Sequence, residues 1–549
     1  MRTSVIILLE LLGEALAFNP LRAQEPITTR ELDSDPDPIP PQTFISEHFG
    51  QLSAYRDLSP SYFNVSHVGL PDGCRVAQVH LLQRHAERFP HPDDEMDGLN
   101  IANFTKKVNA AVTAGESFSG PLSFLNAWSS GLGGEFLTNI GALSEISAGA
   151  KFWNEYGRAL YGAERGQLAY RESDREKDKG RKPLLRGTSQ SRIHNSLLNW
   201  GLGFFGPSWQ EDASFQTNWT DVFHTVVMPE GKDEKVSNNT LAAHHCCNNA
   251  ETPGIGDIGD THMLKYGSHF YPSTSSRLAT YLPQSFSLSA HDLYAMQLLC
   301  AYETAFLGSS PPSHFCTLFT TSEWQGFEQM LDIRFFYNQA FGNPTGRALG
   351  VGYVEEMLAR IKEESIGDSW SSVNSSLTGD AESFPLGMKF YADFTHDKMV
   401  LGVLTALSLD AIREVPDMTS FPPREERVFM ISRLVPFAAH LVTEVVECGV
   451  GEPVPVERQY FTSSSTSGTG NKDEGEKYRF VRMRLNNAIL PLSSIRGDKC
   501  KGRPDELCPL DAFLESQKEA SERAAYQEAC FGEYEGPKDG RDVDGTVPK

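Results

Sequence analysis

The stretch "GCRVAQVHLLQRHAERFPHP", Gly73 to Pro92, decides how the rest of the chain reads. Its apolar run from Val76 to Leu82 has the make-up of a buried strand. The run ends on Arg84-His85-Ala86-Glu87-Arg88-Phe89-Pro90, so two arginines flank one histidine where the strand stops. Open α/β sheets bind ligands at the carboxyl ends of parallel strands. A helix N-terminus there favours anions, and guanidinium forks match phosphate oxygens. An imidazole held in that place could attack phosphorus. The alternative is a solvated basic turn with a satisfied histidine.

A second strand-to-helix turn follows in "FYADFTHDKMVLGVL", with Phe390 to Phe394 as strand and Met399 onward as helix. His396 at this turn can donate to a phosphate oxygen. Asp397 can protonate a leaving alkoxide and later deprotonate water, or it can cap the helix. The other His-Asp pair, His291-Asp292, has no strand before it and reads as helix-start chemistry. In "RKPLLRGTSQSRIHNSLLNWGLGFFG" a short strand, Pro183 to Leu185, is followed by a turn and a helix from about Ser191 to Leu202. Arg186 follows the apolar run and can reach the same sheet edge. Arg192 falls inside the helix, as a structural residue. The tetrad His244-His245-Cys246-Cys247 invites a metal, but adjacent residues seldom point at one tetrahedral centre. It reads as a loop with one cysteine in a disulfide. No metal is expected, and Walker-type loops, Gly-x-Ser-x-Gly and His-Glu-x-x-His are absent from the sequence.

Strands alternating with helices indicate an α/β layout. Residues 1–23 have the pattern of a secretory leader, a basic residue before an apolar run and Ala15-Leu16-Ala17 at its end. Residues 24–60 read as an extended arm, 61–240 and 386–535 as the α/β body, 241–385 as a mainly helical insertion, and 536–549 as a loose tail. "VERQYF" and "KYRFVRMRL" read as two strands of a hairpin around a low-complexity tip, Thr462 to Glu476. Asn64, Asn103, Asn218, Asn238 and Asn374 lie in acceptor sequons, and the cysteines are scattered without metal-ligand spacing. Both features favour a secreted or cell-wall protein with disulfides. The nine cysteines leave one thiol over. With 49 basic and 72 acidic residues the net charge is −23, which disfavours nucleic acid and anionic membranes as partners. No stretch beyond the leader offers the roughly 18 uninterrupted apolar residues of a membrane span. A homo-oligomer is left open.

The chain resembles the histidine acid phosphatases, the family that includes fungal secreted acid phosphatases and phytases, over roughly residues 60 to 535. "RHAERFP" resembles the Arg-His-Gly-x-Arg-x-Pro signature, and "FYADFTHD" resembles the second signature, ending in His-Asp. "FGNPTGRALGVGYVEEMLARI", "HFCTLFTTSEW" and "RLNNAILPL" also resemble family segments. The resemblance implies a phosphoglycerate-mutase-like fold: a mostly parallel central sheet flanked by helices, with a smaller, mainly helical inserted domain. It implies two-step hydrolysis of a small phosphorylated substrate without a cofactor. His85 would be the nucleophile, Arg84, Arg88, Arg186 and His396 would hold the phosphate, and Asp397 would be the proton donor. It also implies the disulfides Cys74–Cys448, Cys300–Cys316 and Cys500–Cys508, with Cys530 paired to Cys246 or Cys247. The function so implied is a secreted acid phosphatase, with phytase as the alternative. Glu87 leans towards the broad acid phosphatases. One departure stands out. Ala86 occupies a glycine position, and if that position needs φ > 0 the loop is strained and the chain becomes a catalytically impaired phosphate binder.

Overall fold

A computed structural model describes residues 37–92, 94, 96–206, 222–230, 238–309, 312–458, 477–536 and 544–548. The opening stretch forms β1, Cys74–Arg84. It joins β2 (Leu184–Thr188), β3 (His224–Met228), β4 (Phe390–Thr395), β5 (His440–Cys448), β6 (Tyr478–Leu485) and the two-residue β7 (Ala488–Ile489) and β8 (Cys508–Pro509). The order across the sheet is β3-β2-β4-β1-β5-β6-β7, with β8 also on β6. Strands β1 to β4 are mutually parallel. β5 runs against β1 and β6 against β5, so β6 again points with β1. Five of the six longer strands therefore run one way, as expected.

Each face of the sheet is covered because its strands are apolar on both sides. On one face, helices Asn139–Phe152 and Ser191–Phe205 place Phe152, Trp200 and Phe204 against Phe390 and Phe394. On the other, helices Gly346–Lys362 and Asp397–Ala406 place Val354, Met357, Val400 and Leu404 against Leu441, Val445 and Met483. These two helices touch backbone to backbone. A Cβ on Gly350 would sit 2.1 Å from the Gly402 carbonyl oxygen, so only glycine fits. A separate apolar cluster belongs to the helical part. There Trp324, Phe327 and Met330 pack with residues of helices Ile258–Gly267, Ala290–Leu307 and Gly98–Thr113.

Several expected boundaries move. Gly346–Lys362, assigned to the insertion, is a sheet-covering helix, while Gly98–Thr113, assigned to the α/β body, packs in the helical cluster. Residues from Ile39 onward accordingly cluster as one compact unit. The arm is not extended throughout. Ile45, Phe49 and Leu52, spaced as one helical face, are buried in the helical cluster. Part of the tail is held as well. Asp544 accepts from Arg347 (2.9 Å) and Arg496 (2.8 Å), and Gly545 pairs with Phe341 and Arg347 through the backbone. β6 pairs with β5, which reads less clearly as a strand because Thr443 and Glu444 interrupt its apolar run. The expected partner strand contributes only Val456, bridged to Gly69; Glu457 and Arg458 after it are exposed and in no strand, and residues 459–461 and the tip lie outside the described residues.

Four disulfides are present: Cys74–Cys448, Cys300–Cys316, Cys500–Cys508 and Cys247–Cys530. Cys247, not Cys246, pairs with Cys530. The segment after Cys247 docks on helix Tyr526–Phe531, where Asn249 donates to the Ala529 and Gly532 carbonyls. That docking turns Cys247 towards Cys530 and leaves Cys246 as a buried thiol. Among the described residues, no helix is long and apolar enough to cross a membrane.

Candidate active site

Strands β1 and β4 lie side by side in register, Arg84 opposite Thr395, so both expected turns open at one sheet edge. The His85 amide donates to the Thr395 carbonyl (3.1 Å), and its carbonyl accepts from Ala438 (3.0 Å). The His85 side chain is fixed too. Nδ1 lies 2.9 Å from the Ala86 carbonyl. A carbonyl only accepts, so Nδ1 carries the proton and Nε2 keeps its lone pair. Burial, then Arg84, Arg192 and Arg88, holds the imidazole pKa well below the ordinary histidine value. Burial and the arginines therefore favour the neutral imidazole at His85.

Ala86 is fully buried, and its φ is not positive. The reason to expect a strained loop is thus removed. Glu87 is also buried but faces a different cavity, lined among others by Gln83, Ser144 and His440.

A cavity of about 400 Å³ is lined by His85, Arg88, Arg192, His396, Asp397 and Lys398, among others. Arg88 donates through Nη1 to the Phe89 carbonyl (2.9 Å), and Arg192 through Nη1 to Glu135 (3.2 Å). The Nε–H of each is buried without a hydrogen-bond partner among the described residues. Burial, then the repulsion of Arg88, lowers the Arg192 pKa to about 10. Such donors are costly to leave unmade.

Arg84 does not line the cavity. It reaches the site through Asp397, with Nη2 2.8 Å from Oδ2, while Nη1 donates to the Gln51 and Val435 carbonyls. Burial alone would raise the Asp397 pKa. Arg84 and then Arg88 overcome this and hold it at about 2. His396 caps the helix that Asp397 begins, and its Nε2 donates to Glu230 Oε1 (2.8 Å).

Arg186, expected at the phosphate, lies elsewhere. β2 runs on through Thr188, so Arg186 is a mid-strand residue, opposite Asp393. Its guanidinium is buried between Asp393 (2.6 Å) and Glu356 (2.6 Å). Arg192, read as structural, is the arginine on the cavity wall. Two signals were available. The period of two puts Arg186 on the face of Leu184, towards the sheet-covering helices. Arg192 sits in the first turn of a helix after a strand, where anions bind. Glu230 carries no sequence signal and was missed. The pair His291-Asp292 opens a helix, as read: Asp292 and Ser289 form a reciprocal capping box.

The sequence over residues 75–486 matches the family model of the histidine phosphatase superfamily, branch 2. Among curated relatives, Phytase A of Aspergillus oryzae is 27% identical over 474 residues, 86% of this chain and 88% of that protein. Phytase A of Aspergillus fumigatus is 27% identical over 465 residues, covering 84% and 86%. Among solved structures, the phytase from D. castellii superposes with a TM-score of 0.59 at 16% identity, over 90% of this chain and 89% of that one. The Bifidobacterium longum multiple inositol polyphosphate phosphatase in complex with phosphate gives 0.54 at 13% identity, over 83% and 95%. These two likenesses show the fold. With a family model covering most of its length, the chain belongs to the histidine phosphatase superfamily, branch 2, and is a phosphoric monoester hydrolase of the acid phosphatase or phytase kind.

Proposed function

We propose that the protein is a secreted acid phosphatase that hydrolyses phosphate monoesters through a phosphohistidine at His85. The observation that carries this reading is the neutral His85, its Nε2 unprotonated, on the wall of a cavity where Arg88 and Arg192 hold unpaired N–H groups. Phosphate binding falls to Arg88, Arg192 and His396, with Arg84 acting from behind Asp397. Arg186 takes no part.

In the first step the Nε2–P bond forms and the P–O ester bond breaks. The leaving oxygen takes a proton from Asp397. In the second step Asp397 takes a proton from water, the new O–P bond forms and the N–P bond breaks. Asp397 needs a proton to begin. With a pKa near 2 it is an anion in the free protein. A phosphate monoester below its second pKa, about 6, arrives as a monoanion carrying one proton. Its negative charge offsets the arginines that depress Asp397, so the proton can pass to the carboxylate. Activity in acid follows from this step.

Phytase is the second reading, favoured by the curated relatives named Phytase A. Lys398, His91 and His245 add basic groups to the cavity wall, but Asp94, Asp97 and Glu251 line it too. Phosphate release from phytate and from an aryl phosphate, compared at acid pH with and without chelator, separates the readings. The general reading expects the aryl ester to be turned over at least as fast. Chelators should leave both rates unchanged, and His85→Ala should abolish both.

Secretion is supported by the four disulfides, which belong to oxidising compartments. Of the sequons, Asn64 and Asn103 are exposed, whereas the Asn238 amide already donates to the Ser371 and Val373 carbonyls and Asn374 caps a short helix. Asn218 and the leader lie outside the described residues.

A further inference from the structure

Beside the phosphate cavity lies a cluster that the hydrolysis does not explain. Glu230 follows β3, and its backbone is fixed to the end of β2: its amide donates to Ser189 Oγ (2.8 Å), whose hydroxyl donates to the Glu230 carbonyl (3.2 Å). Three imidazoles surround its carboxylate. His396 Nε2 is 2.8 Å, His245 Nε2 3.2 Å and His244 Nε2 4.0 Å from Oε1. Glu230, His244 and His396 are all buried, and one ligating atom from each lies within 4.8 Å of the others. One histidine suffices to pair a buried carboxylate. Here Glu230 Oε2 and His244 Nδ1 are buried with no hydrogen-bond partner among the described residues. Both groups thus keep polar capacity beyond the contacts through Oε1 and Nε2.

We propose that Glu230, His244 and His396 form a site for a divalent first-row transition ion, of which zinc is the natural probe. Two imidazoles and a carboxylate are a three-ligand set that zinc accepts, leaving one coordination position open. Ligand atoms about 3.3 Å apart suit a tetrahedral zinc, and the separations from Glu230 Oε1 bracket that spacing. His244 and His396 both line the cavity, so the open position gives on to it. The ligands come from three places in the chain, which is why the adjacent His244-His245-Cys246-Cys247 tetrad could not reveal them. Cys247 is committed to a disulfide and takes no part. The proposed hydrolysis routes no step through an ion, but it shares His396 with this site, so zinc and phosphate meet at the same side chain.

The test is calorimetric titration of the full, untagged chain with zinc chloride in the absence of phosphate. One zinc should bind per chain. Affinity should fall at least tenfold in His244→Asn and in Glu230→Gln, and stay within twofold in His291→Asn, an exposed histidine elsewhere. Cobalt(II) should give the intense visible bands of a four-coordinate ion, lost in His244→Asn. Absence of stoichiometric zinc binding, unchanged affinity in both ligand variants, or a weak six-coordinate cobalt spectrum would overturn the assignment. His85→Ala should bind zinc like the parent, so this result stands apart from the fate of the phosphohistidine reading.

Discussion

Two buried arginine clusters lie close to the same strands and do opposite things. In the sheet interior, Arg186 and Arg360 face Asp393 and Glu356, two cations against two carboxylates. Each ion pair is made at 2.6 Å, and the strong Arg186–Asp393 coupling drives the Asp393 carboxyl well below the usual range. At the sheet edge, Arg84 contacts the buried Asp397, whereas Arg192 contacts only the half-exposed Glu135 and Arg88 donates to a backbone carbonyl. In the first cluster each guanidinium meets a buried carboxylate directly, and the cluster holds the fold. In the second, the two arginines on the cavity wall have no buried carboxylate in direct contact, which suits the proposed phosphate site. Burial and residue type do not separate a structural arginine from a binding one. A buried carboxylate in direct contact does.

The largest effects that could break this contrast come from its two arginines. Arg192→Ala should lower kcat/KM for an aryl phosphate by about 10²–10³-fold, the usual loss for one oxyanion donor. It should change stability by less than about 1 kcal/mol. Arg186→Ala should do the reverse, costing about 3–5 kcal/mol by leaving Asp393 and Glu356 partly uncompensated in the interior. Denaturant unfolding beside steady-state kinetics measures both. A stable Arg186→Ala with lost activity would return the phosphate to Arg186.

A middle-sized effect sharpens the idea of a carboxylate met directly by guanidinium groups. Glu444 is buried against Arg482 (2.5 Å) and Arg484 (3.0 Å) and accepts from Tyr156. Burial would raise its pKa, but the two guanidinium groups hold it at about 2, against an ordinary 4.5. A depressed carboxylate stabilises the fold fully above its unfolded pKa. That stability, about 3 kcal/mol for such a shift, is lost as pH falls from about 4.5 towards 2. Glu444→Gln should therefore melt lower at about pH 6 and lose less on acidification than the parent. Parallel melting curves across that window would contradict it.

The smallest effect concerns Ala86. Since its φ is not positive, Ala86→Gly should leave kcat within about twofold and cost up to about 1 kcal/mol through backbone entropy. A large rise in activity would show that the loop needs glycine.

The sequence revealed most where local pattern and chemistry coincide. An apolar strand ending abruptly on Arg84-His85, and another ending on His396-Asp397, brought the two turns of the proposed site to one sheet edge. Arg186 and Arg192 were exchanged because the choice depends on Asp393 and Glu356, both far along the chain. Without those partners, a charge inside a buried strand reads as a charge at its end. Glu230 was invisible for the same reason, since three histidines from two distant segments define it. Cys246 and Cys247 are adjacent and alike, and only the docking of residue 249 on the last helix decides between them. The helical spacing of Ile45, Phe49 and Leu52, carried by two short helical turns, was legible, but the Pro- and Asp-rich residues before it obscured it.

The central claim is the covalent intermediate on His85. Rapid acid-free quenching of the protein during turnover of an aryl phosphate, followed by peptide mass spectrometry, tests it directly. Asp397→Asn, which should slow release of the phosphoryl group, provides the trap. A phosphoryl group on the peptide containing His85, absent in His85→Ala, is the predicted result. Turnover with no phosphorylated peptide, or with the group on another residue, would contradict the account.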